Sequence, residues 1–306
     1  MKKETKPLVL NTVKELYDHL GVSMDDLDNK SEFSIYNLAD LPLKLPFKSA
    51  VYRANFFSLV FVKDSKGTSF SDNYTFNIEP GTVYFNNPGY IKHVVLNEAR
   101  ELYMATLSES FLKENVHADI FEEFPFLLAE NVPPKILSDE QYSEFEQLYL
   151  MVLKEYKSDS HYKNKVIGHL LVLILIKLKL YFWYDYDPIR EGNRSSNIVK
   201  TFKRMLEKHY RDLSKGNADK VFRVGEYAEA QHLHPNYFNT VIKSKTGKSV
   251  GAWIIDKTIA EAKSLLTNSD LSIKEISYRL GFAESAHFSN YFKKHTEATP
   301  AIYRRK

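Results

Sequence analysis

The sequence predicts an α+β chain in two parts. An antiparallel β-barrel or jelly roll with trailing helices comes first, then an all-helical C-terminal part with two helix-turn-helix units. Three observations predict this. Short period-2 apolar runs, separated by Pro-Gly and Asn-Pro-Gly turns, fill residues 33–107. Helical periodicity takes over from Ser108. A helix–turn–helix pattern then occurs twice near the C-terminus, about fifty residues apart.

In chain order, residues 11–20 predict a short amphipathic helix with Val13, Leu16, Tyr17 and Leu20 on one side and Gly21 as its stop. Residues 56–62 read as a strand. Tyr74, Phe76 and Ile78 alternate with polar residues. Pro80-Gly81 turns into a strand at residues 83–85, and Asn87-Pro88-Gly89 into one that places Ile91, His93 and Val95 on its apolar side. Residues 102–107 close the series. Residues 108–116 and 119–124 are expected as short helices, interrupted by Pro133-Pro134. Ser138 and Gln141 form a capping box for a helix to about Tyr156, with Phe145, Leu148, Val152 and Tyr156 on its core face. Residues 166–184 are the most apolar run. Apolar residues exceed one face there, so this helix is expected to pack on its own barrel and on a second subunit. His169, Lys177 and Lys179 within it argue against a membrane span. Residues 187–196, with Pro188 and Gly192, read as a linker, giving domains 1–186 (strands about 33–107, helices about 108–184) and 197–306.

Charge separates the same two parts. The whole chain carries a net charge of +3. From Ile198 onward there are 20 Lys/Arg against 11 Asp/Glu, while the remainder is net acidic. A polyanion partner is therefore expected for the C-terminal part alone. The absence of cysteine excludes disulfides and thiolate metal sites and suits a reducing cytoplasm. The first residues, Met1-Lys2-Lys3-Glu4, are not followed by an apolar signal core, and a cytoplasmic protein is expected.

The downstream helix-turn-helix is built on residues 270–304. Ser272 and Glu275 form a capping box, Ile273, Ile276 and Leu280 the apolar face of the first helix, and Gly281 a turn that needs positive φ. Phe288, Tyr291 and Phe292 make the apolar face of the second helix. Upstream, Val224, Tyr227 and Ala228, then Leu233, then Phe238, Ile242 and Lys243 repeat that pattern, with Pro235 at the first helical position. A helix over residues 249–266, with Trp253, Ile254, Ile259, Ala262, Leu265 and Leu266 apolar, links the two units. Residues 198–213 supply the first helix of this part. Two such units can place two second helices in adjacent major grooves of double-stranded DNA.

Residues 224–304 resemble the DNA-binding domain of AraC/XylS-type transcription regulators. The resemblance rests on Tyr237-Phe238 with Ile242-Lys243, on residues 261–266, on residues 272–276, on Gly281-Phe282, on Phe288-Ser289 with Phe292-Lys293-Lys294, and on Thr299-Pro300 with Tyr303-Arg304. Three positions depart from the pattern. Glu297 stands where many members carry Gly, Lys257-Thr258 where an Arg is usual, and His232 in place of the upstream turn glycine. In architecture the N-terminal part is similar to the cupin-like sensing and dimerisation domain of the same regulators. The resemblance implies a sequence-specific regulator, an activator by family expectation. It also implies a homodimer through residues 166–184, a contact with RNA polymerase and control by a small-molecule effector. Two alternatives stay open: a regulator with no small-molecule ligand, and a cupin enzyme fused to a DNA-binding domain.

Candidate residues follow from chemistry. Asn236, Asn239 and Thr240 upstream, and Ala286, His287, Ser289 and Asn290 downstream, are candidates to contact base edges. Asn can bond adenine bidentately, and Thr or Ala methyls can touch thymine. Lys243, Lys245, Lys248, Lys274, Ser285, Lys293, Lys294, Arg304 and Arg305 are candidates for phosphate, with helix N-terminal amides at Ser249 and Ser272. In the barrel, Tyr52, Arg53, Tyr74, Tyr84, Tyr90 and His93 are candidates to line a small-molecule pocket. Only His93 lies on the strands, so a cupin metal set is missing and no metal is expected. No Gly-rich phosphate loop or nucleophile elbow is visible, so neither cofactor nor catalysis is expected.

Overall fold

The structure is a computed structural model that describes residues 7–24, 26–71, 74–117, 119–130, 132–184 and 193–305. The chain divides into two units. One comprises Met1–Phe111 with Ala129–Tyr186, the other Leu112–Leu128 with Asp187–Lys306. The linker expected at 187–196 lies outside the described residues up to 192, and Asn193 already caps a helix.

The elements in order are β1 (Leu8–Leu10), α1 (Val13–His19), β2 (Phe33–Asn37), β3 (Phe47–Lys48), β4 (Tyr52–Ala54), β5 (Phe57–Ser71), β6 (Tyr74–Ile78), β7 (Thr82–Asn86) and β8 (Ile91–Leu107). Then come α2 (Glu109–Asn115), α3 (Ile120–Glu123), β9 (Lys135–Ile136), α4 (Asp139–Tyr156) and α5 (Lys163–Phe182). The C-terminal helices are α6 (Arg194–Lys215), α7 (Val224–Glu229), α8 (Pro235–Thr246), α9 (Val250–Asn268), α10 (Ile273–Arg279), α11 (Ser285–Thr296) and α12 (Pro300–Arg304).

β5 and β8 are the spine of the first unit, paired antiparallel from Phe57↔Leu107 to Ser71↔Lys92. β6 and β7 pair with β5, and β2, β3 and β4 with β8. This is a jelly-roll-like sheet whose pairing does not close into a barrel among the described residues. Both spine strands run longer than the sequence suggests. Residues 63–66 and 98–101 look like loop in one dimension. Across the pair, however, Lys63 meets Glu101 at 3.0 Å, Arg100 meets Asp64 at 3.4 Å and Lys66 meets Glu98 at 3.7 Å. The register shifts within this charged stretch bend the strands and keep them paired.

β5 starts buried on both faces, hence its unbroken apolar run. Val60 and Val62 join the core that holds Leu16, Tyr17, Leu96 and Met104. Phe61 stacks instead on Tyr149 of α4, ring centroids 5.1 Å apart. The capping box of α4 forms as expected, with Ser138 N–H donating to Gln141 Oε1 at 3.0 Å. Tyr181 of α5 donates to Glu144 of α4 at 2.6 Å, and Lys177 pairs with the same carboxylate at 2.5 Å. Those two contacts, Lys177 foremost, hold the Glu144 carboxyl below its ordinary range.

In the second unit α6, α7, α8 and the start of α9 enclose one core, where Phe202 meets Tyr227 and Phe238 edge-on. The rest of α9 with α10, α11 and Tyr303 encloses another. The two residues that replace expected glycines keep the glycine conformation: φ is 55° at His232 and 61° at Glu297. Gly281 has φ 73°, and a Cβ there would lie 2.9 Å from the Val221 backbone nitrogen. His209 stacks on Phe222 at 3.8 Å, its Nε2 2.9 Å from the Lys220 carbonyl and 3.2 Å from the Phe222 N–H. One neutral ring nitrogen serves one of these partners, and burial pushes the His209 pKa down.

Three outcomes follow. Gly281→Ala costs about 2 kcal/mol in a thermal or urea unfolding measurement, because it combines left-handed strain with a backbone clash. His232→Gly gains about 0.5–1 kcal/mol, strain relief less the entropy of a glycine. A depressed folded-state pKa means that the His209 contribution is fully present above the ordinary histidine pKa of about 6.5 and is lost as pH falls below it. His209→Gln should therefore flatten the fall in stability from about pH 6.5 downward, read from unfolding midpoints across a pH series.

Candidate nucleic-acid interface

The helices α8 and α11 share a buried face and a C-terminal turn but differ at the N-cap, where Glu284 of α11 makes no side-chain cap bond. His234 caps α8, its Nδ1 accepting the Asn236 N–H at 3.3 Å, with Pro235 at the first turn. Phe238 and Ile242 of α8, like Phe288 and Phe292 of α11, are buried. Each helix ends on a left-handed residue, Gly247 or Glu297, and the turn after it is tied by a threonine. Thr246 Oγ1 donates to the Lys248 carbonyl at 3.2 Å, and Thr296 Oγ1 to the Ala298 carbonyl at 3.1 Å. The residues that remain on the outside are those the sequence offers for bases. Asn236 and Thr240 of α8, and Ala286, His287 and Asn290 of α11, are exposed; Ser289 is half-buried.

Asn239 differs. Its Oδ1 accepts the Val250 N–H at 2.9 Å, so this amide caps α9 and its carbonyl is already used. The repeat shows why. The residue matching Val250 in the second unit is Pro300, which has no N–H, and the residue matching Asn239 is Ser289. Tyr237, absent from the sequence-based set, is exposed on α8 at the position matching His287. Aligning the two units residue by residue would have found it.

The cationic candidates also divide. Lys243, Lys274, Lys293, Lys294 and Arg305 are exposed. Lys248 pairs with Asp256 at 2.5 Å and lies over the Trp253 ring. The Arg304 guanidinium donates to the Leu266 and Leu271 carbonyls at 3.3 and 2.6 Å, closing the end of α9. Both side chains therefore have partners within the protein. Lys245 and Ser285 are half-buried. Of the helix N-termini, α9 has its Val250 and Ala252 amides satisfied by Asn239 and Ser249. In α10 the Ser272–Glu275 box forms as expected. Its hydrogen bonds from Ser272 hold the Glu275 carboxyl below its ordinary range.

Of the residues proposed for a pocket in the first unit, the structure brings Tyr52 and Tyr84 into one core and links Tyr74 to them through Phe76. Tyr84 and Tyr52 belong to the core face, with Phe76 bridging Tyr84 at 4.9 Å and Tyr74 at 5.8 Å. Burial pushes the Tyr52 hydroxyl up to about 12 and Tyr84 higher still. Arg53 instead donates to the Gly89 carbonyl at 2.6 Å, and His93 sits between Ser49 and Phe70. Tyr90 is buried. β8 therefore runs in the opposite phase from the one read in the sequence. Lys92, Val94 and Leu96 face inward, and Ile91, His93 and Val95 do not. Lys92, cross-strand from Tyr52, is only 5% exposed and donates to the Asn87 carbonyl at 3.1 Å. It was missed because a lysine in an alternating strand reads as the solvent face. Among the described residues no group of three or more His, Asp or Glu could hold a metal ion. No described helix is long and apolar enough to cross a membrane.

Two helix-turn-helix units with matching left-handed C-caps and outward polar faces thus stand in one unit. Comparison places it further. Residues 227–306 match a family model described as a helix-turn-helix domain. An uncharacterised HTH-type transcriptional regulator of Bacillus subtilis, YobQ, is 35% identical over 81 residues, 26% of this chain and 34% of that protein. The arabinose operon regulatory protein of Escherichia coli is 24% identical over 233 residues, 75% of this chain and 73% of that protein. The C-terminal domain of the response regulator yesN from Fusobacterium nucleatum is 26% identical and aligns over 35% of this chain and 98% of that one, with a TM-score of 0.31. The chain spans 34% of YobQ and 39% of the Salmonella typhimurium regulatory protein PocR, about a third to two-fifths of these curated relatives. The C-terminal unit contains a helix-turn-helix domain similar to those of HTH-type transcriptional regulators.

Arg304→Ala leaves two carbonyls at the end of α9 without their donor and should cost about 1–3 kcal/mol of unfolding free energy, measured by denaturant titration.

Proposed function

We propose that this chain is a sequence-specific DNA-binding transcription regulator that sets α8 and α11 into adjacent major grooves. The observation that carries this reading is the repeat itself. Two units share their left-handed C-caps, their left-handed turns and a buried apolar pair one turn apart, and differ in the exposed residues a DNA site would read. Asn236, Thr240, Ala286, His287, Ser289 and Asn290 are the base-contacting set, and Lys243, Lys274, Lys293 and Lys294 position the protein on phosphates. The basic balance of the C-terminal part supports it.

The first unit supplies pairing and sensing. Val166, His169, Leu173, Ile176 and Leu180 are exposed on α5 at alternating spacings of three and four, which is the seam of a two-helix coiled coil with a second copy. Tyr52 and Tyr84, in the core of this unit, are the side chains proposed to meet a small-molecule effector. Activation through RNA polymerase is the form of control that the arrangement serves.

Asn236→Ala and Asn290→Ala should each remove about 1–3 kcal/mol of discrimination at one base position, measured by fluorescence anisotropy on a site selected from random DNA. Lys243→Ala and Lys293→Ala should weaken binding to all sequences alike and lower the salt slope by about 1 each. Unchanged discrimination in both Asn variants would overturn the reading. Leu173→Glu should convert a dimer to a monomer in sedimentation velocity; a monomeric parent would sink the α5 seam.

A further inference from the structure

Residues 112–128 lie in sequence between parts of the first unit, yet they belong to the second. Lys113 is 1% exposed, and so lysine is an expensive residue to have there without ionic partners. Its Nζ meets the carboxylates of Glu261 on α9 and, at 3.3 Å, Glu207 on α6. Lys257 of α9, 3% exposed on its side chain, pairs with Glu207 as well. Both ammonium groups lie over one face or the other of the Phe121 ring, 5.7 and 4.9 Å from its centre.

The backbone of the segment is tied too. Ser264 Oγ donates to the Lys113 carbonyl at 3.0 Å, and Asn268 Nδ2 to the Glu114 carbonyl at 2.8 Å. Tyr303 of α12 donates to the Glu114 carboxylate at 2.8 Å. At the other end Asp119 pairs with Lys215 of α6 at 3.0 Å, and Glu122 pairs with Arg211. So one short acidic stretch holds α6, from the upstream core, together with α9 and α12, from the downstream core.

We propose that residues 113–122 are a brace that sets the spacing between the two recognition helices, making Lys113 and its carboxylate partners positioning residues for DNA recognition. The inference rests on the DNA-reading function proposed above. Apart from the brace, the upstream and downstream units are joined by α9, by the bond from Arg279 to the Ser214 carbonyl at 2.6 Å and by the close approach of Gly281 to the Val221 backbone. A braced pair tolerates one separation of its two contact segments; a loosened pair tolerates several.

The test uses the full chain. A site is selected from random double-stranded DNA with the parent protein, then remade with one base pair inserted between the two contacted segments. That insertion turns one segment by about a tenth of a helical turn relative to the other. The parent should prefer its own spacing by more than about 30-fold, and Lys113→Met by less than about threefold. Arg211→Glu should lower the ratio in the same way, and Arg211→Glu with Glu122→Arg should restore it. If Lys113→Met does not fold, Glu114→Gln and the Arg211/Glu122 exchange carry the test. Variants that bind the selected site yet keep the parental spacing ratio would overturn the brace alone, as would affinity lost equally on both sites. A parent that selects no sequence would overturn the DNA reading beneath it.

Discussion

Helix α9 belongs to two hydrophobic cores at once, and the C-terminal unit depends on that sharing. Val250 and Trp253 at its start are packed with Phe202, Phe238 and Ile242, while Ile259, Ala262 and Leu266 further along are packed with Ile276, Phe288 and Phe292. A straight helix fixes the angle between side chains at set separations. The two recognition helices are therefore oriented through the faces of α9 on which their own cores close. The caps serve the same end. Asn239 and Ser249 fasten the start of α9, and Arg304 fastens its end through the Leu266 and Leu271 carbonyls.

This dependence explains what was legible in the sequence. The helix-turn-helix repeat could be read because its determinants are local: Ser272 with Glu275, Pro235 after His234, and large apolar residues one turn apart. His232 and Glu297 look like departures, but the turn geometry is imposed by packing on both sides, and the chain holds a strained backbone there. The N-terminal architecture was legible in outline only. Charged residues at 63–66 and 98–101 hid the continuity of β5 and β8, since their partners lie on the opposing strand. The phase of β8 was misread for a related reason. The alternation offers His93 as a pocket residue, whereas a carbonyl at Asn87 takes Lys92 inside.

The residues reassigned within the candidate interface share one property. Asn239, Lys248 and Arg304 are polar side chains whose partners are distant in sequence or lie on the next helix. Composition counts them as surface. Three-dimensional proximity gives each a cap or ion-pair partner that the linear sequence does not reveal. The exposed set that remains is smaller and more symmetric, with Lys243 and Lys293 at matching positions of α8 and α11.

The same reasoning bears on the buried charges at Lys113, Lys257, Glu207 and Glu261. Desolvating four ionised groups is costly, and well-packed apolar side chains of similar size often do as well or better for stability alone. Apolar packing, however, is non-directional and permits small slides between helices. An ammonium held between carboxylates on α6 and α9 has few positions that satisfy both partners. What such a network adds over an oily contact is register. Register is what a protein needs when two helices on separate cores must meet two segments of one duplex at a single spacing.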